Sequence, residues 1–501
     1  MSIDNIVKEH KISEPISAEL IINEINNDSS SNDVTVNQVE DCSVSLRSIN
    51  TILTDLLTHI KAKTPQEAAG IEAGTPLDDK AKTVITCEYV LRVAQEQKWN
   101  LARYMEDYYV FNGEFWVKLK EEEIKDFLGF VAQKISINRF KAQYFAFQDV
   151  LLKQFYRTGC LKVPESNKHQ VKINLCNGTY VVDGNNHYLK QFDSNDFMRY
   201  KLPFRYDKYA EAPLFQRYLD RVLPVKEKQM VLAEHIGSAF IKNSVLKLEK
   251  AAFLVGSGAN GKSVFFNIIT SLLGSENVSN ITLEELTDDK NYAKTFLDGK
   301  ILNYASEIST KMNTTQFKTL VSNEPIMVRM IYEKPYILED YAKLIFNANE
   351  LPANIEHNIA FLRRCNIIEF NVTIPEAQRD PALANKIISQ ELPGVFNWVL
   401  AGMERLLKNQ SFTKCKEIED ALYTYQKESD HVALFLEDYN YIKSSTEKIP
   451  LKILYDHFKI YAKDCGYPLV QDKSFSKRLK ANGYYTERKG SGRYVYATKR
   501  K

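Results

Sequence analysis

Apolar and polar positions change period several times along the 501-residue chain, and the sharpest change lies near its middle. An apolar run at 251–255 reads as a buried strand. A glycine-rich stretch follows, and residues 264–273 continue with apolar positions at helical spacing up to Gly274. Ahead of it, Tyr218, Leu219, Val222, Met230, Val231, Ile236 and Phe240 recur at helical spacing, interrupted at Pro224, and predict a helical collar over 208–245. His235 falls among those apolar positions and reads as a structural histidine. Beyond the helix, apolar runs at 300–305, 342–348 and 367–370 predict further strands, so an α/β core spans 246–375.

The flanks carry other patterns. Residues 81–207 predict a small α+β domain, with Asn112-Gly113 as the tight turn of a hairpin, a helix at 121–134 and a second strand pair around 173–182. Aromatics crowd this part: Tyr104, Tyr108, Tyr109, Phe111, Phe115, Trp116, Tyr144, Phe145 and Phe147. They suit core packing or base stacking, and packing is the commoner use. Two short β segments within 318–336 predict a hairpin around 332–334, carrying Arg329 and Lys334, which in a ring of subunits can present cations to a nucleic-acid strand in the central channel. A helical lid over 376–428 presents Trp398 and apolar positions within 400–407. Over 429–501 the order is helix (452–465), helix (473–482) and a hairpin turning at 489–492, the order of a winged helix.

Charge alters this picture at the two ends. The net charge of +2 gives no global argument for nucleic-acid binding. Yet residues 1–80 hold 6 Lys/Arg against 14 Asp/Glu, and residues 451–501 hold 13 against 4. Rich in Ser, Asn and acids, 1–80 predicts a mostly disordered acidic leader with one amphipathic piece at 44–60. The basic end places Lys473, Lys477, Arg478, Lys480, Arg488, Lys489 and Arg493 among Tyr484, Tyr485, Tyr494 and Tyr496. That is a phosphate-contacting face, although winged helices also dock proteins. Seven scattered cysteines without a C-x-x-C, and no apolar run near the ~18 residues of a membrane span, predict a soluble cytoplasmic protein with no zinc site and no membrane partner.

The central stretch carries the chemistry. Gly256, Ser257, Gly258, Ala259, Asn260, Gly261, Lys262 and Ser263 complete G-x-x-x-x-G-K-[ST] between a strand and a helix. Such a loop turns successive N–H groups and a helix dipole toward phosphates, reaches the β/γ-phosphates with Lys262 and offers the Ser263 hydroxyl to Mg²⁺, so ATP and Mg²⁺ are the expected ligands. Glu307 ends the next strand, where a carboxylate can serve the Mg²⁺ shell and activate water. A solvated acid is its plainer reading. Asn349 ends the strand after that and suits a γ-phosphate sensor. Arg363 and Arg364 offer guanidinium groups for transition-state charge, although a lone Arg-Arg pair is normally surface charge.

In serial order these elements resemble the superfamily 3 helicases, specifically the helicase half of phage and plasmid primase-helicases, related to the poxvirus helicase-primase. The resemblance runs from residues 173–178 through 256–263, Ser306-Glu307, 318–329, 347–352, Arg363-Arg364 and Trp398 to the winged-helix ending, about two-thirds of the chain. It implies an AAA-type α/β ATPase forming hexameric rings that draw one DNA strand through a pore. Gly256, Gly261, Lys262 and Ser263 would hold ATP and Mg²⁺, Glu307 would be the catalytic acid and Asn349 the sensor. Arg364, or failing it Arg363, would complete a neighbour's site. The expected partners are single-stranded and origin DNA, further copies of the chain and a separate primase, within the bacterial host of a phage, plasmid or mobile element. Two departures stand out. Ser306 replaces the first of two acids usual at the second motif, and Asn323-Glu324 replaces a Gly-Asp pair in the hairpin motif. No primase signature precedes the helicase. A DNA-binding initiator that uses nucleotide to assemble, without translocating, satisfies the same local motifs.

Overall fold

The computed structural model describes residues 49–160, 170–306, 312–351, 359–467, 469–490 and 492–500. Helices α1 (Ile49–His59) and α2 (Asp79–Glu96) precede an antiparallel sheet of β1 (Leu101–Tyr104), β2 (Asp107–Phe111) and β3 (Trp116–Leu119), followed by α3 (Glu121–Lys134) and α4 (Phe145–Thr158). The β2–β3 turn closes where the Asn112 carboxamide oxygen accepts the amides of Glu114 and Phe115, both at 2.9 Å. Ile52, Leu53, Leu56 and Ile60 are buried in the same core as α2, α3 and α4. The folded domain therefore already includes 49–80, and the acidic leader expected over 1–80 ends too late. Charge averaged over eighty residues hides one amphipathic face. The rest of that expected leader, 1–48, lies outside the described residues.

Most of the aromatics do pack. Tyr109, Phe111 and Trp116 are buried, and Phe197 sits with its ring 5.6 Å from Tyr109 and 5.7 Å from Trp116. Tyr144 and Phe145 do not, and both are exposed.

A second antiparallel sheet follows, of β4 (Gln170–Leu175), β5 (Gly178–Asp183) and β6 (Asn186–Lys190), and then the collar helices α5 (Pro213–Val222) and α6 (Lys226–Ser238), split at Pro224 as expected. The central sheet is built from β7 (Ala251–Val255), after which come helix α7 (Lys262–Leu273), β8 (Val278–Ser279), β9 (Leu302–Ala305), helix α8 (Thr314–Val321) and the small hairpin β10 (Ile326–Val328) and β11 (Tyr336–Leu338). It is completed by β12 (Lys343–Ala348) and β13 (Cys365–Glu369). Its order is β13-β7-β12-β9-β8, all parallel, with Ala348 level with Val255 and Phe346 level with Ala305. Near-continuous apolar strands are what a sheet covered on both faces requires. The first strand lies between the fourth and the fifth, so chain connections leave it on opposite sides and open a crevice at its carboxyl end.

The lid comprises α9 (Leu383–Gln390), α10 (Leu392–Asn409) and α11 (Lys416–Glu428). Helix α10 lies so close to α6 that a Cβ on Gly402 would stand 2.5 Å from the Ala233 carbonyl carbon. Fully buried Glu234 ties the two, accepting from Arg405 Nε at 3.0 Å and from the Thr413 amide at 2.8 Å. His235 is a core residue as expected: its ring stacks on Phe412 and its Nε2 lies 2.8 Å from the Asn366 amide nitrogen.

At the C-terminus come α12 (His431–Asp438), β14 (Tyr441–Lys443), β15 (Ile449–Pro450), α13 (Leu451–Asp464), α14 (Asp472–Ala481), the hairpin β16 (Thr486–Lys489) and β17 (Gly492–Val495), and β18 (Ala497–Lys499). Strand β15 adds to the hairpin and β14 pairs with β18. Tyr484, expected on the basic face, is buried instead and donates to the Tyr441 carbonyl at 2.6 Å.

Candidate functional site

Strand β7 delivers the chain into the crevice, and two glycines shape the turn that follows. A Cβ on Gly256 would lie 2.1 Å from the Asn260 amide nitrogen and 2.7 Å from the Phe370 carbonyl oxygen. Gly261 has φ +91°, a left-handed conformation that a side chain strains. The loop is held from three sides: the Gly256 amide donates to the Ala348 carbonyl at 3.1 Å, the Ile374 amide to the Ala259 carbonyl at 2.8 Å, and the Tyr218 hydroxyl to the Gly261 carbonyl at 2.8 Å. Helix α7 starts at Lys262, so its first amides and the positive end of its dipole face the crevice.

Lys262 is 7% exposed. Its ammonium donates to the Gly256 carbonyl and to Asn260 Oδ1, at 2.5 and 3.3 Å. Among the described residues no carboxylate pairs with it, and burial lowers its pKa. An anion entering the loop would relieve that burden. Ser263 beside it is exposed to the crevice.

The crevice opens into a cleft of about 1090 Å³ lined by residues 258–264 together with Ser306 and Asn349. Register explains the meeting: Asn349 follows Ala348, which is level with Val255, and Ser306 follows β9. Glu307 lies outside the described residues. The structure adds lining residues that motif reading missed: Arg217 and Arg221 from α5, and Arg379 before the lid. Arg221 donates to the Gln378 carbonyl at 3.3 Å and to its side chain, and Arg379 Nε donates to the Ile374 carbonyl at 3.0 Å. The i, i+4 spacing of Arg217 and Arg221 opposite the apolar face of α5 was visible in sequence, but nothing local says what that side of the helix faces.

Arg363 and Arg364 stand at the other end of the sheet, since Cys365 is level with Ala251 at the amino end of β7. Five residues of strand, roughly 17 Å, separate them from the loop. Arg364 is 8% exposed and committed to its own chain: Nη2 donates to Ser322 Oγ at 2.8 Å and to Glu249 at 3.1 Å, and Nη1 to the Ala360 carbonyl at 2.9 Å. Arg363 is exposed. Of the two expected guanidinium groups, Arg363 is therefore the one at the surface, and Arg364 is held within the fold.

Of the residues expected to meet nucleic acid, Lys334 is exposed in the β10–β11 turn, next to a fully exposed Tyr332. Arg329 lies over the Tyr292 ring, 5.7 Å from its centroid. Lys473, Lys477, Arg488, Lys489 and Arg493 are exposed on the C-terminal unit, whereas Arg478 is half-buried.

Two family models match parts of the chain. Residues 254–364 match a family of unknown function, DUF5906, and residues 427–500 match the poxvirus D5 protein-like family. The chain matches no curated protein. Among solved structures it is similar to the A-form apo structure of the NrS-1 C-terminal region (13% identity, TM-score 0.46), covering 81% of this chain and 97% of that one. A second apo structure of the NrS-1 C-terminal region, residues 305–718, gives 14% identity, TM-score 0.46 and the same coverage. Among the described residues, no helix is long and apolar enough to cross a membrane.

Proposed function

We propose that the chain is an ATP-dependent DNA helicase of superfamily 3 type, assembling as a ring, served by a separate primase and acting in replication of a phage, plasmid or mobile element. The observation that carries this reading is the convergence of Lys262, Ser263, Ser306 and Asn349 on one cleft at the carboxyl ends of adjacent parallel strands. The D5-like match over 427–500 supports placing the chain among primase-helicases.

The residues suit a nucleoside triphosphate. The loop has a cradle that a Cβ would fill at Gly256, and Lys262 is a buried cation with no anionic partner among the described residues. Loop amides and Lys262 would bind the phosphates, and Asn349 would donate to the γ-phosphate or hold the attacking water. Ser263 would hold Mg²⁺, which when bound neutralises charge developing on the phosphoryl oxygens. By its place in the chain after Ser306, Glu307 would take the proton of that water. Arg363 of an adjacent copy would stabilise the transferring phosphoryl group, Lys334 and Arg329 would meet a single strand in the ring's channel, and the basic C-terminal winged helix would grip duplex DNA at the origin.

Lys262→Ala tests the proposal. It should abolish ATP turnover and strand displacement while DNA binding by the basic C-terminus persists. Unwinding by that variant would reject the assignment, and wild-type assembly on DNA without turnover would favour the nucleotide-gated initiator.

A further inference from the structure

Outside the cleft, the N-terminal domain carries four exposed aromatic rings: Phe130 at 51%, Phe140 at 82%, Tyr144 at 55% and Phe145 at 68% exposure. They come from elements that touch. A Cβ on Gly129, next to Phe130, would lie 2.9 Å from the Ala142 carbonyl oxygen and 2.7 Å from the Gln148 side chain, so α3 lies directly against the segment that carries the other three. Tyr144 and Phe145 meet edge to face at 4.9 Å. A chain that folds alone rarely leaves several neighbouring rings in water without a partner for them.

The charges around the rings point to the kind of partner. Lys134 lies one turn after Phe130 on α3, and Arg139 adjoins Phe140. Lys61 joins them through the adjoining loop, where the Lys63 amide donates to the Lys134 carbonyl at 3.0 Å and Ser136 Oγ to the Lys63 carbonyl at 3.2 Å. Among the described residues, Lys61, Lys134 and Arg139 make no ion pair. The neighbouring carboxylates are occupied: Asp79 holds Lys141, while Glu121 and Asp149 share Lys125 at 2.7 and 2.8 Å. Asp126, one turn before Phe130, is an exposed acid on the same helix. Cations left unpaired among flat rings are suited to phosphates alternating with bases, whose π-faces stack on aromatics whatever the sequence.

We infer that this face of the N-terminal domain binds single-stranded nucleic acid, as a site separate from the cleft and from the basic C-terminal unit. It does not depend on the reading of the cleft. The test uses the full-length chain without nucleotide and an oligo(dT) 30-mer carrying 5-iodouracil. Photocrosslinks should map to peptides within 130–145. Phe140→Ala with Phe145→Ala should weaken oligo(dT) binding at least about tenfold, and Arg139→Glu should lower the salt dependence of binding. Both variants alter exposed side chains, so their thermal unfolding should match the parent's. Unchanged affinity with no crosslinks in that region would overturn the inference. So would variants that change the sedimentation of the free protein while binding DNA normally, which would make the patch a contact between copies of the chain.

Discussion

Removing the guanidinium of Arg364 should cost the fold more than it costs the chemistry. The side chain gives hydrogen bonds to Ser322 Oγ, the Ala360 carbonyl and Glu249. Loss of one partner from a fully buried ion pair costs about 3–5 kcal/mol, because the other charge is left stranded. Here Glu249 keeps Lys247 at 2.8 Å and retains some contact with water, so the carboxylate is not abandoned. What remains is the loss of charge-assisted bonds to Ser322 and Ala360, and Arg364→Ala should destabilise by about 2–3 kcal/mol. In a cooperative unit of about 200 residues that lowers the melting temperature by roughly 4–12 °C. Arg363→Ala, at an exposed position, should change stability by less than about 0.5 kcal/mol while lowering turnover by on the order of 10³-fold if it acts on a neighbour's phosphates. Calorimetry and steady-state ATPase assays on both variants separate the two effects. Mixing Arg363→Ala with Lys262→Ala subunits should then restore some turnover. A thermally unaltered Arg364→Ala protein without ATPase activity, rescued by mixing, would refute the assignment of Arg364 to its own chain.

Two further outcomes concern stability. Burial pushes the His235 pKa down to about 3, against about 6.5 when unfolded. The folded state therefore binds fewer protons than the unfolded one between those values; its stability is full above about pH 6.5 and falls with pH through the window, by about 2 kcal/mol at pH 5. His235→Gln should flatten the melting profile between pH 6.5 and 5, and an equally steep decline would contradict the burial argument. At the α6–α10 contact, Gly402→Ala drives a methyl into the Ala233 backbone and should destabilise by about 1–3 kcal/mol. Gly490→Ala, where a Cβ meets nothing, should leave unfolding unchanged.

The features legible in the sequence were those with short-range causes. The strand, loop and helix at 251–273 follow from an apolar run, two obligatory glycines and helical periodicity. The hairpin at 107–119 follows from Asn112 and its own turn, and the one at 486–495 lies where the turn at 489–492 places it. Long-range facts were hidden. Nothing near Arg364 discloses that Ser322 and Glu249 wait for it across the fold, and nothing near Arg221 discloses Gln378. The aromatics show the same limit: Tyr109 and Tyr144 are the same letter, yet one is buried against Phe197 and the other is exposed.

The uniform direction of the five central strands has a consequence for stoichiometry. It sends the glycine-rich loop to one rim of the sheet and Arg363 to the opposite rim, too far apart for one copy to use both. If Arg363 is the cation that completes catalysis, an isolated copy can load its nucleotide but has no means of spending it quickly. Specific activity should then climb steeply with protein concentration and collapse on dilution, keeping scattered molecules idle until enough of them have gathered in one place.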